Sequence, residues 1–391
     1  MSDLGDDGAK RLLALDVFRG ATVAGMILVN NPGSWGAIYA PLRHAAWHGW
    51  TPTDLVFPFF LFIVGVALVL SMDKRLAAGV ARRTLVPHVL RRALVLIGLG
   101  LFLNAYPKLL PQALLGMGDA SFGDVLEHMR WPGVLQRIGL CYGIVGLLYL
   151  FVPRRALLPC GALLLLGHAA LLAWVPAPGA AAVDLDSRGD HLSGWLDRTL
   201  LGEGHLWVSA KVYDPEGVLS TASAVVTCLL GVAVGHMLRR RGPSLAERVL
   251  EIAVFGVALA AAGHLWGFGL PINKPLWTGS YALLTAGLAA QFLALSLYVC
   301  DLRGHRRVVE PFRVFGVNPI TVFVGSAVLA KTLSWIRVAG GETTLRAWIY
   351  DRLFLSWAEG HHASLAYALA WVTGWFLVLR AMDRRGIHVR V

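Results

Sequence analysis

The chain has 391 residues, of which 56% are hydrophobic and 15% charged, with a formal net charge of +11 and a mean hydropathy of +0.61. A water-soluble domain usually carries about 25% charged residues, so a soluble class is excluded. The excess of positive charge sits at the ends of apolar blocks, a pattern of membrane topology and lipid headgroup contact that does not support a nucleic-acid partner.

The apolar blocks are about 17–22 residues long, the length that crosses a hydrocarbon core. In chain order they predict helices over residues 14–31, 54–72, 87–106, 134–152, 156–175, 218–238, 250–266, 280–300, 315–333 and 363–380. The expected fold is an all-α polytopic membrane bundle of about ten transmembrane helices. It forms one unit over residues 1–391, with a short N-terminal segment 1–13 and a C-terminal tail 381–391. The first block has an acidic flank (Asp3, Asp6, Asp7) and no Ala-x-Ala site, so it is expected to remain in the mature chain.

Arginine and lysine crowd the even-numbered connections. Lys74, Arg75, Arg82 and Arg83 are followed by Arg154 and Arg155, then Arg239, Arg240 and Arg241, then Arg303, Arg306 and Arg307; Arg384, Arg385 and Arg390 close the chain. By the positive-inside rule these connections and both termini are cytoplasmic. Cys141, Cys160, Cys228 and Cys300 all fall within predicted spans and form no C-x-x-C pair, so neither a disulfide nor a metal site is expected.

An ionisable residue at membrane depth costs about 2.5–3.5 kcal/mol, so each one is paired, interfacial or functional. Asp16 and Arg19 open the first span at i, i+3, a spacing that lets them pair. Asn30 and Asn31 close it ahead of Pro32, where the chain is biased out of the helix. Thr51, Pro52, Thr53 and Asp54 form a helix-start pattern that accounts for Asp54 as a cap. His44, ten residues earlier in a Trp-rich loop, has no such account, although an isolated loop histidine is usually an ordinary surface residue. Gln136 and Arg137 lie just inside the fourth span. Asp214 and Glu216 precede the sixth, where capping is the simpler reading than acid–base chemistry. Asn273 and Lys274 precede the eighth span, and Asn318 opens the ninth.

The stretches LDVFRG (15–20), LVNNPG (28–33), HAAWHGWTPTDLVFPFFLFIVG (44–65), PGVLQRIG (132–139), YDPEGVLST (213–221), PINKPLWT (271–278) and GVNPI (316–320) together resemble the transmembrane acyltransferases of the heparan-α-glucosaminide N-acetyltransferase type. The resemblance is closer to shorter bacterial forms that lack a large lumenal extension. It implies transfer of an acetyl group from acetyl-CoA to the amine of a glucosamine unit. It places the active histidine at His44 and a neighbouring asparagine at Asn30, with Asn31 as the alternative. Asp54 is expected to assist catalysis. Trp47, Arg137, Asp214, Glu216, Asn273, Lys274, Trp277 and Asn318 fall on the shared motifs and are expected to bind the acceptor, together with Asn31. The resemblance also implies a homodimer, and the composition fits a bacterial inner membrane.

The chemistry suits these residue types. An imidazole titrates near 6.5 and can act as a base or accept the acetyl group. An asparagine amide can stabilise an oxyanion. The phosphates of acetyl-CoA require cations, and a guanidinium fork fits them. Arg82/Arg83, Arg91/Arg92, Arg239/Arg240/Arg241 and Arg306/Arg307 are the candidates, with Arg19 and its neighbour Asp16. Two rival readings are an amino-sugar transporter and an acyltransferase acting on another envelope glycan.

Overall fold

The computed structural model describes residues 12–115 and 122–389. The acidic residues Asp3, Asp6 and Asp7, and Arg390 in the tail, lie outside the described residues. The helices are α1 (Leu13–Asn30), α2 (Val56–Ala77), α3 (Arg82–Leu115), α4 (Phe122–His128), α5 (Val134–Phe151), α6 (Arg154–Trp174), α7 (Leu192–Leu201), α8 (Val218–Arg239), α9 (Leu245–Trp266), α10 (Gly279–Leu297), α11 (Arg306–Val317), α12 (Pro319–Trp335), α13 (Leu345–Leu353) and α14 (Gly360–Arg384). A two-stranded antiparallel ribbon, β1 (Arg337–Val338) and β2 (Thr343–Thr344), precedes α13.

Among the described residues nine helices are long and apolar enough to cross a membrane, and a bent pair makes a tenth. That pair is α11 and α12, which meet at 70°. The ninth span was expected from residue 315, as one helix through Asn318. Instead Asn318 leaves the helical region (φ −124°, ψ 51°), and α12 starts at Pro319. Proline clashes with a helical conformation at the residue before it and lacks the N–H needed to continue. The chain turns there, and α11 lies against α1 as a separate charged helix.

The connections gather at two faces. Residues 31–51, 129–133, 175–217, 267–278 and 336–359 meet on the face that carries His44, as cross-links such as Asn273 to Trp47 and Arg130 to Asp214 show. The short Arg-rich connections meet on the other, where Arg154 reaches Asp73 and Arg82 reaches Leu150 O. α8 is the most enclosed span, and α9 and α14 are the most peripheral.

The most extensive helix pairs include α2 with α8 and α9 with α10. Gly65 and Gly231 account for the first. A Cβ on Gly65 would overlap the Cys228 carbonyl oxygen, and one on Gly231 would overlap that of Phe62. Small residues let backbones touch where lipid removes the hydrophobic drive for helix association. The α2–α8 seam is therefore closed from Phe62 to Val69.

Candidate active site

The centre of the His44 face is the start of α2. A single 3₁₀ turn, Pro52–Leu55, leads into the helix. Thr51 stands in extended conformation as its cap, and Asp54 Oδ2 accepts hydrogen bonds from Thr51 N at 3.1 Å and Ala45 N at 3.0 Å. The hydroxyl of Thr51 donates to Arg43 O at 2.6 Å, which pins the preceding loop to the same turn. Asp54 is thus the cap that the sequence predicts, and it is 1% exposed.

The other carboxylate oxygen does something else. Asp54 Oδ1 lies 2.6 Å from His44 Nδ1 and 3.2 Å from Lys274 Nζ. Lys274 Nζ also lies 3.1 Å from His44 Nδ1. An ammonium has only donors, so His44 Nδ1 either gives its hydrogen to Asp54 or accepts one from Lys274. The shorter, charge-assisted contact to the carboxylate is the stronger, and the network assigns the hydrogen to Nδ1. Nε2 is then left with its lone pair, on a side chain that is 52% exposed. Tyr281 OH donates to Asp54 O at 2.6 Å and fixes the turn from beneath. Burial pushes the Lys274 ammonium below the ordinary lysine range, partly opposed by Asp54 and Glu216.

Two loops build this arrangement. His48 and Asn273 form an isolated antiparallel bridge, and Gly49 N donates to Ile272 O at 2.7 Å. Asn273 Nδ2 donates to Trp47 O at 3.2 Å, while its Oδ1 accepts from Leu276 N at 2.9 Å. Asn273 is fully buried and holds the loop that presents Lys274. Trp47 is also mostly buried, donating to Leu185 O at 2.7 Å and packed against Tyr213 and His191. Trp277 takes up the left-handed region (φ 49°), lies under Arg137 at 5.3 Å and donates to Thr227 Oγ1 at 3.1 Å. These three motif residues form the frame of the site.

A second charged cluster stands beside it. Arg130 donates to Asp214 through Nε at 2.8 Å and Nη2 at 2.5 Å, and also to Glu216. Burial acts to raise the Glu216 carboxyl, but Arg130, Arg137 and Lys274 outweigh it and hold the group below its usual range. Burial likewise opposes the Arg130 charge, and Glu216 and Asp214 hold that guanidinium above its ordinary value. Arg137, 1% exposed, donates to Pro215 O at 2.9 Å, Gly217 O at 2.8 Å and Ser220 Oγ at 2.5 Å. Asp197 on α7 accepts from Asp214 N and Val218 N; burial pushes its carboxyl up to about 6. Arg137, Asp214 and Glu216 therefore brace the start of α8, and each is already bonded within the protein.

The remaining expected residues scatter. Asn31 is buried and donates to Ile27 O at 2.9 Å, closing α1, with Ser326 Oγ at 3.5 Å. Asn30 is exposed at the same helix end. Asn318 lies at the opposite face, where it donates to Ile387 O at 3.0 Å and accepts from Val389 N at 2.8 Å. It anchors the C-terminal tail, away from His44. Asp16 and Arg19 pair at 3.1 Å, also on the opposite side, and Arg19 reaches Gly316 O. Arg82 donates to Leu150 O at 3.0 Å, and Arg83 is exposed beside it. Arg239 and Arg240 line a basin at that same face.

Sequence reasoning missed Arg130, Tyr281 and Asp197. Arg130 precedes Trp131 and Pro132, just ahead of the PGVLQRIG stretch. Tyr281 stands in the first turn of an apolar span beside Thr278 and Ser280, whose hydroxyls make it look like part of an ordinary helix start. Nothing local marks Asp197. Among the described residues no group of three or more histidine, cysteine or carboxylate side chains is arranged to hold a metal ion.

Comparison with known proteins gives a consistent result. A family model described as heparan-alpha-glucosaminide N-acetyltransferase, catalytic, matches residues 11–189. Heparan-alpha-glucosaminide N-acetyltransferase of Mus musculus is 31% identical over 370 residues, covering 82% of this chain and 54% of the relative. The Homo sapiens protein is 31% identical over 369 residues, covering 81% and 53%. The chain thus spans about half the length of the curated relatives it matches.

Proposed function

Because the chain belongs to the heparan-alpha-glucosaminide N-acetyltransferase-like family, we propose that it is a membrane acetyltransferase. In this reading it transfers acetyl from acetyl-CoA to the amine of glucosamine, or of a glucosamine-containing sugar, at the His44 face. The observation that carries the proposal is the buried Asp54 bound to Nδ1 of an exposed His44. A carboxylate that fixes the tautomer and leaves Nε2 bare is the arrangement a general base or acyl carrier needs.

In the direct route the acceptor ammonium first loses one proton to solvent. The amine then attacks the thioester carbonyl, forming the N–C bond. His44 Nε2 takes the second amine proton and passes it to sulfur as the C–S bond breaks. Asp54 and Lys274 hold the imidazole through this transfer. In the covalent route Nε2 attacks the thioester carbonyl and the C–S bond breaks, releasing the CoA thiolate. The deprotonated amine then attacks the acetyl group, the bond to Nε2 breaks, and the proton lost by the amine goes to the thiolate. Labelled acetyl trapped on the wild type but not on His44→Ala selects the covalent route. Asn30, exposed near this face, is the proposed donor to the oxyanion.

The donor's path is also part of the proposal. A cleft of about 590 Å³ lies between α1, α2 and α10, from Pro52 and Leu55 at the mouth to Ala21 and Leu295. On α10 its lining runs from Leu288 to Leu295, about 10 Å of helix. The arm of CoA between thiol and pyrophosphate is a little over four residue-lengths, about 15 Å extended. The cleft covers part of that arm, and its α1 lining stops at Ala21, two residues from Arg19, which favours Asp16 and Arg19 at the phosphate end over the Arg82/Arg83 and Arg239/Arg240 clusters. An inner-membrane location, cytoplasmic termini, a single transferase unit and a homodimer complete the reading. A topology map placing His44 in the cytoplasm would refute transfer across the membrane.

The test is release of CoA thiol by purified protein in detergent, given acetyl-CoA with and without glucosamine, alongside His44→Ala. Release that requires glucosamine and disappears in the variant is expected. Folded protein that releases no thiol but takes up labelled sugar into vesicles would identify a carrier instead.

A further inference from the structure

At the face opposite His44, α2, α6 and α8 end or begin around a second cavity of about 620 Å³. Its wall carries five guanidinium groups: Arg154, Arg155, Arg239, Arg240 and Arg241. Against them stands one lining carboxylate, Asp73, already bound by Arg154 at 2.6 Å and by Tyr149 OH. Arg240 pairs with Glu251 at 3.0 Å outside the wall. Arg155, Arg239 and Arg241 have no ion pair among the described residues. The His236 ring stacks on Tyr149 at 5.5 Å, and its buried Nε2 has no hydrogen-bond partner among the described residues.

Three guanidiniums without an ion pair among the described residues, lining one cavity, call for an anion with several acceptor oxygens, and phosphate suits the guanidinium fork. The acyl donor bound for His44 is a poor fit. Asp54 and Asp73 are 19 residues apart on one continuous helical segment, about 28 Å. Between them the α2–α8 seam is closed at Gly65 and Gly231, and a Cβ on Gly235 would stand 2.8 Å from Val69 Cβ. No arm threads from the basin to His44 along that seam. The basin lies at the ends of apolar spans, on the face richest in arginine.

We propose that the basin binds a phosphate group, carried by an anionic phospholipid of the adjoining leaflet. Arg155, Arg239 and Arg241 hold the phosphate oxygens, with Arg154 fixed in place by Asp73 and Tyr149. This site stands apart from acetyl transfer and does not depend on it.

The test uses the full chain in mixed micelles of phosphatidylcholine, with and without phosphatidylglycerol, and counts retained lipid by native mass spectrometry. Inorganic phosphate and adenosine 3′,5′-bisphosphate serve as soluble competitors. Wild type is expected to retain phosphatidylglycerol in preference to phosphatidylcholine. The combined Arg155→Gln, Arg239→Gln, Arg241→Gln variant should lose that preference by about tenfold or more. Melting in phosphatidylcholine alone checks that the variant folds, and the single Arg155→Gln, at an exposed position, gives a milder second reading. Displacement of the lipid by either soluble phosphate would overturn the lipid assignment and leave a soluble phosphate ligand. Equal retention of both lipids by wild type and variant, with no soluble ligand bound, would overturn the site.

Discussion

The α2 segment carries a buried carboxylate at each end, and the two are used differently. Asp54 holds His44 and Lys274. Asp73 holds Tyr149 and Arg154. At Asp73 both partners are consumed: the tyrosine has one hydroxyl hydrogen and gives it, and a guanidinium cannot lose its proton. At Asp54 the histidine is anchored through one nitrogen and keeps the other. A costly acid in a membrane helix therefore does not by itself mark chemistry. What sets Asp54 apart is a partner with a second ring nitrogen, on a side chain that is half exposed.

The strongest way to break this comparison is Asp54→Asn. The amide cannot orient the imidazole as a carboxylate does and leaves the Lys274 ammonium without its anion. Glucosamine-dependent CoA release is expected to fall about 10²–10⁴-fold, and the melting point should fall with a loss of about 3 kcal/mol. Release within tenfold of wild type would show that the Asp54–His44 pair is only a cap.

The two ends are kept apart by the α2–α8 seam, which Gly231→Leu would force open. The new side chain overlaps the Phe62 carbonyl, and overpacking of this kind costs about 3 kcal/mol. Denaturation in detergent should show that loss. A variant as stable as wild type would mean that the helices separate easily, and the isolation of the basin from His44 would no longer hold.

How much of this was legible beforehand depends on the range of the interaction. The spans could be read because a hydrocarbon core imposes their length on consecutive residues. The cap at Asp54 could be read because Thr51 and Pro52 are its neighbours. Its second role could not, since it depends on a loop from residue 44 and another from residue 274 folding to one point. Arg130 and Asp214 are 84 residues apart, and no local rule pairs them. Arg137 and Trp277 fell on motifs shared with an enzyme family, yet they support the frame. Asn318 shows the same limit: the Asn-Pro step is local, but the pairing of Asn318 with Ile387 and Val389, 69 and 71 residues on, is not.

A pH titration sharpens the picture of the frame on the His44 face. His191 caps α7 by accepting from Gly194 N at 2.9 Å through Nδ1, which requires a neutral ring. Burial drives its pKa down from 6.5 to about 4. The unfolded chain takes up this proton first as pH falls, so the His191 contribution is intact above pH 6.5 and is lost progressively towards pH 4, while Asp197, raised to about 6, works in the opposite sense. The loss amounts to about 3 kcal/mol. His191→Asn keeps an acceptor without the titration, and its melting point should vary less over that window. An unchanged acid limb would assign the loss to other groups.

The smallest expected effect comes from the quiet end of α2. Tyr149→Phe removes one donor from Asp73 while Arg154 keeps its contact. A buried acceptor that loses one of two partners costs about 1–2 kcal/mol, and melting should fall by that much. Acetyl transfer per folded molecule should not change, because the hydroxyl is about 28 Å along α2 from Asp54. A tenfold fall in transfer at equal folded protein would show that the two carboxylates are coupled through the helix, and the contrast between a closed pair and an open one would have to be replaced by a single network.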